Sequence, residues 1–289
     1  MRIILSTDFT EDNEALFPYA IDLLRTIGGE IIVFHAYMDQ CFVSDSSYPG
    51  NFENNNFFTS EFITELESTA REEMEEKKRY LTDLIKEENL DNISVESVLV
   101  GGEPESELIR LADMKKPDLI LMGTRGKGKK RFLEGSLAKS VMTKIKIPLL
   151  SIPIGYHWRK STDILYATNF GKFDICIIEQ IFEILRPYSP HIHVVHFVSH
   201  DDSTKESLLM EELSKAFETK EYEGDIHFQL IHTGNPAEAL RIFCERNDIS
   251  LTSFVAYRKG LLDYIFRDKL DKDDFFNLGL PMLTFKDID

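Results

Sequence analysis

The chain repeats itself, and that repeat limits its possible folds more than any other feature. Arg2-Ile-Ile-Leu-Ser-Thr-Asp8-Phe9 returns as Asp163-Ile-Leu-Tyr-Ala-Thr-Asn169-Phe170 at an offset of 161 residues. His35, after Ile31-Ile32-Val33-Phe34, returns as His196 after Ile192-His193-Val194-Val195 at the same offset. Further on, Ile147-Pro148-Leu149-Leu150 returns as Leu280-Pro281-Met282-Leu283 at an offset of 133. A long internal period means two copies of one unit. The copies divide as residues 1–155 and 161–289, joined near Gly155–Lys160. The smaller second offset means that copy one carries an extra segment between its second and last strands.

Within a copy, short β-rich runs alternate with helical spacing. Ile3–Thr7, Glu30–Ala36, Ile93–Val100, Leu119–Gly123 and Pro148–Ile152 read as strands, each nearly continuously apolar. Such runs fit a parallel sheet covered on both faces. Leu16, Ala20, Leu23, Leu24 and Ile27 recur at helical spacing. Glu103-Pro104 opens another helix, because proline is tolerated in a first turn, and Leu108, Leu111 and Ala112 lie on its inner side. Glu61–Glu88 reads as a long helix with a charged, solvated face. The extra segment Tyr37–Ser60 holds Phe42, Phe52, Phe57 and Phe58, which we expect to pack back on the domain. Alternating strand and helix imply right-handed crossovers and an α/β fold of two tandem doubly wound domains.

Composition narrows the function. The formal charge is −17, from 33 Lys+Arg against 50 Asp+Glu. Residues 1–155 carry 18 basic and 27 acidic residues, and residues 156–289 carry 15 and 23, so the acidity is even. Such a surface repels nucleic acid and anionic lipid, and neither is expected as a partner. Cys41, Cys176 and Cys244 show no metal or disulfide spacing and read as core residues of a protein in a reducing compartment. No apolar run nears the roughly 18 residues of a membrane helix, and Asp8 interrupts the N-terminus too early for a signal peptide. A cytoplasmic location is expected.

Against this acidic background, five of residues 125–131 are basic. They belong to Met122-Gly123-Thr124-Arg125-Gly126, Lys127–Arg131 and Gly135-Ser136, between a buried strand and the helical pattern Leu137, Val141, Ile145. Glycines allow close backbone approach, and a Gly-Ser pair at a helix start offers N–H groups, a hydroxyl and a positive dipole end. Together they describe a phosphate cradle. A P-loop is disfavoured because Lys130 stands where the Mg²⁺-binding hydroxyl belongs. A classical dinucleotide site is disfavoured because no GxGxxG follows the first strand. An ordinary glycine-rich loop with solvated lysines is the plain alternative.

These residues resemble the nucleotide signature of the universal stress protein family, Gly-x2-Gly-x9-Gly-(Ser/Thr) before a helix and a Pro-Val/Leu-Leu strand. The likeness extends to Thr7-Asp8-Phe9, His35-Ala36 and Pro148-Leu149-Leu150, and it covers both halves. One spacing departs: eight residues, not nine, separate Gly126 from Gly135. The resemblance implies five parallel strands per domain in order 3-2-1-4-5, with an ATP or AMP site at their carboxyl edge and Mg as a companion ion. It places Asp8 at the adenosine end, the Ala36 backbone at the adenine edge, Gly123 beside the ribose, and Gly126, Gly135, Ser136 and Leu137 at the phosphates, with Thr7, Met122 and Arg125 also among the nucleotide-binding residues. It also implies that the two domains pair through their last strands as an intramolecular pseudo-dimer, open to further homodimer formation. Asp8 has a second reading as N-cap of the first helix.

At the 133 offset, copy two has Ala256 for Gly123, Lys259 for Gly126, Asp268 for Gly135 and Lys269 for Ser136. Asn169 replaces Asp8. Only the first copy is therefore expected to bind nucleotide. His191, His193, His196 and His200, with Asp201 and Asp202, crowd one strand and its exit, but alternation splits them between faces and no metal site is expected. No catalytic residue stands out, and ATP hydrolysis would at most be slow. The chain reads as a cytosolic stress-response regulator or sensor that binds adenine nucleotide. The alternative is a protein-interaction scaffold with a degenerate pocket. An ATP-pyrophosphatase-like enzyme lacks its Ser-Gly-Gly loop.

Overall fold

The structure is a computed structural model, and it describes residues 1–10, 16–37, 60–124, 137–153, 155–156, 162–198, 203–220, 222, 225–256 and 278–286. The first half runs β1 (Arg2–Ser6), α1 (Leu16–Leu24), β2 (Gly29–Tyr37), α2 (Ser60–Glu87), β3 (Ile93–Gly101), α3 (Pro104–Lys115), β4 (Leu119–Gly123), α4 (Leu137–Lys144) and β5 (Leu149–Ile152). The second runs β6 (Asp163–Ala167), α5 (Asp174–Leu185), a 3₁₀ turn (Arg186–Tyr188), β7 (His191–Val198), α6 (Thr204–Lys215), β8 (Asp225–His232), α7 (Pro236–Arg246), β9 (Leu251–Ala256) and β10 (Met282–Lys286). The Phe-rich segment lies outside the described residues.

All ten strands form one sheet in the order β3-β2-β1-β4-β5-β10-β9-β6-β7-β8. Each half is parallel and ordered 3-2-1-4-5, the doubly wound order that the family resemblance implies. The halves meet where β5 and β10 pair antiparallel, with Leu283 opposite Leu150. Both leucines are fully buried, so the seam is apolar. Thr284 Oγ1 donates to the Leu149 carbonyl at 3.3 Å across it. Because strand direction reverses at the seam, the carboxyl edges of the two halves point to opposite ends of the molecule.

Two cores run the length of the sheet, one on each face. Leu16, Leu23, Leu24, Ala70, Met74 and Leu81 pack with Ile178, Ile181 and Leu213, so α1, α2, α5 and α6 share a face. Leu108, Leu111, Val141, Leu240 and Phe243 place α3, α4 and α7 on the other. In α2, Ala70, Met74, Leu81 and Ile85 recur at helical spacing and are buried, which makes the charged face solvent-facing. On α3, Glu103 is the N-cap, accepting from the Glu105 and Ser106 amides at 3.2 and 2.7 Å. Asn235 repeats the device for α7 by accepting from the Glu238 amide.

One apolar position departs from its expected side. Helical spacing puts Ile27 on the inner face of α1, yet it is 45% exposed. The helix ends first: Gly28, at φ 68°, donates its N–H to the Leu24 carbonyl at 2.7 Å. Gly29 is required by space, since a Cβ there would lie 1.8 Å from the Met1 carbonyl oxygen. A polar cluster sits where the halves touch on the α1 face. Burial, with Asp22 alongside, pushes the Tyr188 phenol up, and Asp22 also pairs with Arg25 at 3.0 Å. Tyr156 adds a 3.3 Å bond to the Ser250 carbonyl.

Candidate functional site

The crevice lies where strand order reverses, between β1 and β4, the place where open α/β sheets bind ligands. Register sets Ser6 opposite Met122, so Thr7 and Asp8 leave the sheet beside Gly123. On the other flank Thr7 N–H donates to the Phe34 carbonyl at 3.0 Å, and Ala36 continues β2 opposite Val100. Thr7, Ala36 and Met122 are buried, while Asp8 and Gly123 are partly open. Thr124, just past β4, donates its N–H to the Ile152 carbonyl at 2.9 Å, holding the strand end to β5.

Asp8 is held by its own turn. Its Oδ1 accepts from the Thr10 amide at 3.1 Å and the Thr10 hydroxyl at 2.6 Å. The Phe9 amide donates to Thr7 Oγ1 at 3.0 Å, with Phe9 in the left-handed region at φ 62°. His35 Nδ1 reaches the Thr7 carbonyl at 2.8 Å, and its ring lies 4.1 Å from the Phe9 ring. The helix-capping role read for Asp8 concerns residues 11–15, which lie outside the described residues.

The structure therefore brings Thr7, Asp8, Ala36, Met122 and Gly123 to one edge. Leu137 opens α4, partly buried against the α3 face. Arg125, Gly126, Gly135 and Ser136 lie outside the described residues. His35 and Phe9 were not singled out as site residues in sequence; their signal was the Thr-x-Phe…His pattern that returns at the 161 offset.

The second half repeats the turn. Phe170, at φ 56°, donates its amide to Thr168 Oγ1 at 2.8 Å, and His196 Nδ1 reaches the Thr168 carbonyl at 2.8 Å. Asp174 enters here without a sequence signal. It accepts from the Tyr166 hydroxyl at 2.8 Å, the Gly171 amide at 3.1 Å and the Thr168 hydroxyl. Burial pushes its carboxyl up, against the pull of those bonds. One alignment needs correcting. Ala167 pairs with Phe254 as Ser6 pairs with Met122, so Val255, not Ala256, holds the place of Gly123. The offset across β4 and β9 is thus 132 and becomes 133 only at the last strand, where Thr284 answers Ser151. The residues aligned with the rest of the cradle, Lys259, Asp268 and Lys269, lie outside the described residues.

His191 and His193 share a sheet face with Asp163, Asp225 and His227, and His196 faces away toward Thr168. Among the described residues no group of three or more His, Cys, Asp or Glu could hold a metal ion; His200, Asp201 and Asp202 lie outside them. Cys244 is buried, and burial pushes its thiol up to about 12. Cys176 is exposed on α5, not in the core, because Ile177 and Ile178 take the inner side of that turn.

Residues 1–153 match the universal stress protein family. Universal stress protein MJ0577 of Methanocaldococcus jannaschii is 24% identical over 159 residues, covering 52% of this chain and 93% of that protein. Universal stress protein MJ0531 of the same organism is 26% identical over 152 residues, covering 52% and 81%. The crystal structure of a universal stress protein from Archaeoglobus fulgidus superposes with a TM-score of 0.68 at 18% identity, covering 99% of this chain and 96% of that one. With a family match across residues 1–153 and the same fold along the whole chain, this protein belongs to the universal stress protein family.

Proposed function

We propose that the chain is an adenine-nucleotide-binding regulatory or sensing protein of the stress response, with ATP or AMP held in its first half. One observation carries this reading. Thr7-Asp8 and Met122-Gly123 end adjacent parallel strands at the switch point, and the strand that ends in Gly123 feeds the glycine-rich, basic run before α4. Asp8 and Ala36 would meet the adenosine, and Gly123 would lie beside the ribose. Arg125, Gly126, Gly135, Ser136 and Leu137 would take the phosphates, where helix N–H groups and local positive charge favour an anion. Mg²⁺ would arrive with ATP on phosphate oxygens and water, a common arrangement for that ion. No catalytic residue is assigned, and ATP turnover is slow at most.

The two domains, residues 1–155 and 161–289, would act as an intramolecular pseudo-dimer through the β5–β10 seam. The second serves pairing and stability, since Val255 fills the place of Gly123 and Asn169 that of Asp8. A homodimer of whole chains is part of the same proposal. A cytoplasmic location rests on the sparse cysteines and on the lack, among the described residues, of any helix long and apolar enough to cross a membrane.

Mass spectrometry of the purified, denatured protein tests the function. Released ATP or AMP is the expected result. An empty pocket, together with no calorimetric heat from either nucleotide, would instead point to a protein-interaction scaffold.

A further inference from the structure

The feature that the proposed function leaves unused is the histidine after the second strand of each half. His35 Nδ1 lies 2.8 Å from the Thr7 carbonyl oxygen, and His196 Nδ1 lies 2.8 Å from that of Thr168. A carbonyl oxygen only accepts, so each Nδ1 carries the hydrogen. The rings lie 4.1 Å from Phe9 and 4.6 Å from Phe170. Both phenylalanines are left-handed, at φ 62° and 56°, a conformation rare for bulky side chains that persists only when its surroundings hold it. In each half the holding groups are a threonine hydroxyl, which accepts the Phe amide, and the histidine, which donates to the same threonine's carbonyl.

The lock encloses Asp8 in the first half and Asn169 in the second. His35 stands on β2 immediately before Ala36, and its ring reaches across to β1 at Thr7. It therefore joins the two chain segments that the proposed function assigns to the adenosine, Asp8 on one side and the Ala36 backbone on the other. We propose that His35 is a positioning residue for the adenine end of the site. By donating to the Thr7 carbonyl and packing on Phe9, it fixes the Asp8 turn relative to the Ala36 backbone. This rests on the nucleotide-binding reading. Loss of the bond would release the Thr7 carbonyl and the Phe9 ring while the Thr7 amide stays on the Phe34 carbonyl, so the Asp8 turn would shift relative to Ala36, and the cost would fall on every ligand that carries the adenosine, with or without phosphate.

The test uses the full-length chain and three variants. His35→Phe keeps a ring on Phe9 and removes the donor, His35→Asn returns a donor at the same branch point, and His196→Phe makes the first change in the second half. Adenosine and ATP binding by calorimetry should each weaken about tenfold in His35→Phe, the scale of one lost hydrogen bond. His35→Asn should recover most of that loss. His196→Phe should leave ATP affinity within about twofold, because its lock encloses a crevice assigned no nucleotide. Hydrogen exchange of the Phe9 and Thr10 amides should quicken about tenfold in His35→Phe and return toward wild type in His35→Asn. Unchanged exchange at Phe9 and Thr10 in His35→Phe overturns the inference. An equal loss of ATP affinity in His196→Phe also overturns it, by showing that the lock acts only through general stability. Should the wild type bind neither adenosine nor ATP, the nucleotide reading fails and the positioning role fails with it, whereas the exchange arm still reports whether His35 sets the turn.

Discussion

Val255 in β9 stands in the register of Gly123 in β4. The pairings that establish this are Ala167 with Phe254 and Ser6 with Met122, one residue earlier on each strand. A glycine at the end of the fourth strand lets a ligand approach the backbone; a buried, branched side chain does not. Among the described residues, the two halves share a fold and differ here, at a position that the proposed site leaves without a side chain.

Binding should therefore be one adenine nucleotide per chain. Isothermal titration of the full-length protein should give a stoichiometry near one, and a value near two would show that the second crevice works despite Val255 and Asn169.

Giving the first half the side chain of the second should disable it. Gly123→Val is expected to weaken ATP binding by about tenfold or more, since Cβ and its methyl groups enter the space beside the ribose. Gly135→Val should do the same at the phosphate end. Circular dichroism should be unchanged in both, and equal ATP affinity in wild type and variants would count against the site.

Acid should destabilise the fold through His193. Burial lowers its proton affinity, and the neighbouring His227 and His191 add to this against the opposing pull of Asp163. The folded-state value thus lies below the unfolded one. Unfolded chains then take up a proton first as pH falls, so stability is full above the unfolded value near 6.5 and declines as pH drops through it toward the folded value. Urea midpoints measured between pH 8 and pH 5 should fall more steeply for wild type than for His193→Phe. Parallel curves would remove His193 as the cause.

Asp174 should matter to stability and not to nucleotide binding. Asp174→Ala strands the Tyr166 and Thr168 hydroxyls and the Gly171 amide. Leaving buried donors without acceptors costs about 3 kcal/mol. Urea denaturation should show that loss, with ATP affinity near wild type; a loss below about 1 kcal/mol would mean that water or a neighbour replaces the carboxylate.

The sequence alone determined the repeat and the doubly wound class, and the family resemblance carried by its motifs pointed to the edge on which to look. The apolar runs from β1 to β5 and the Glu103-Pro104 helix start are local patterns, and local propensity and burial act within a few residues. The strand order, and with it the switch point, came from the family resemblance, because alternation of strand and helix sets the doubly wound class and not the order of the strands. Ile27 was misplaced because periodicity does not announce where a helix stops; the Gly28 turn did that. Tertiary structure decided what depends on contacts between distant segments. Strand register put Val255, not Ala256, opposite the role of Gly123, because one residue of slack sits between β9 and β10 and alignment by the closing prolines hides it. It also decided the bond from His35 to Thr7, the enclosure of Asp174 and the packing of Tyr188 against Asp22. Each of these joins residues that share no local pattern, and only burial in a common core makes them neighbours.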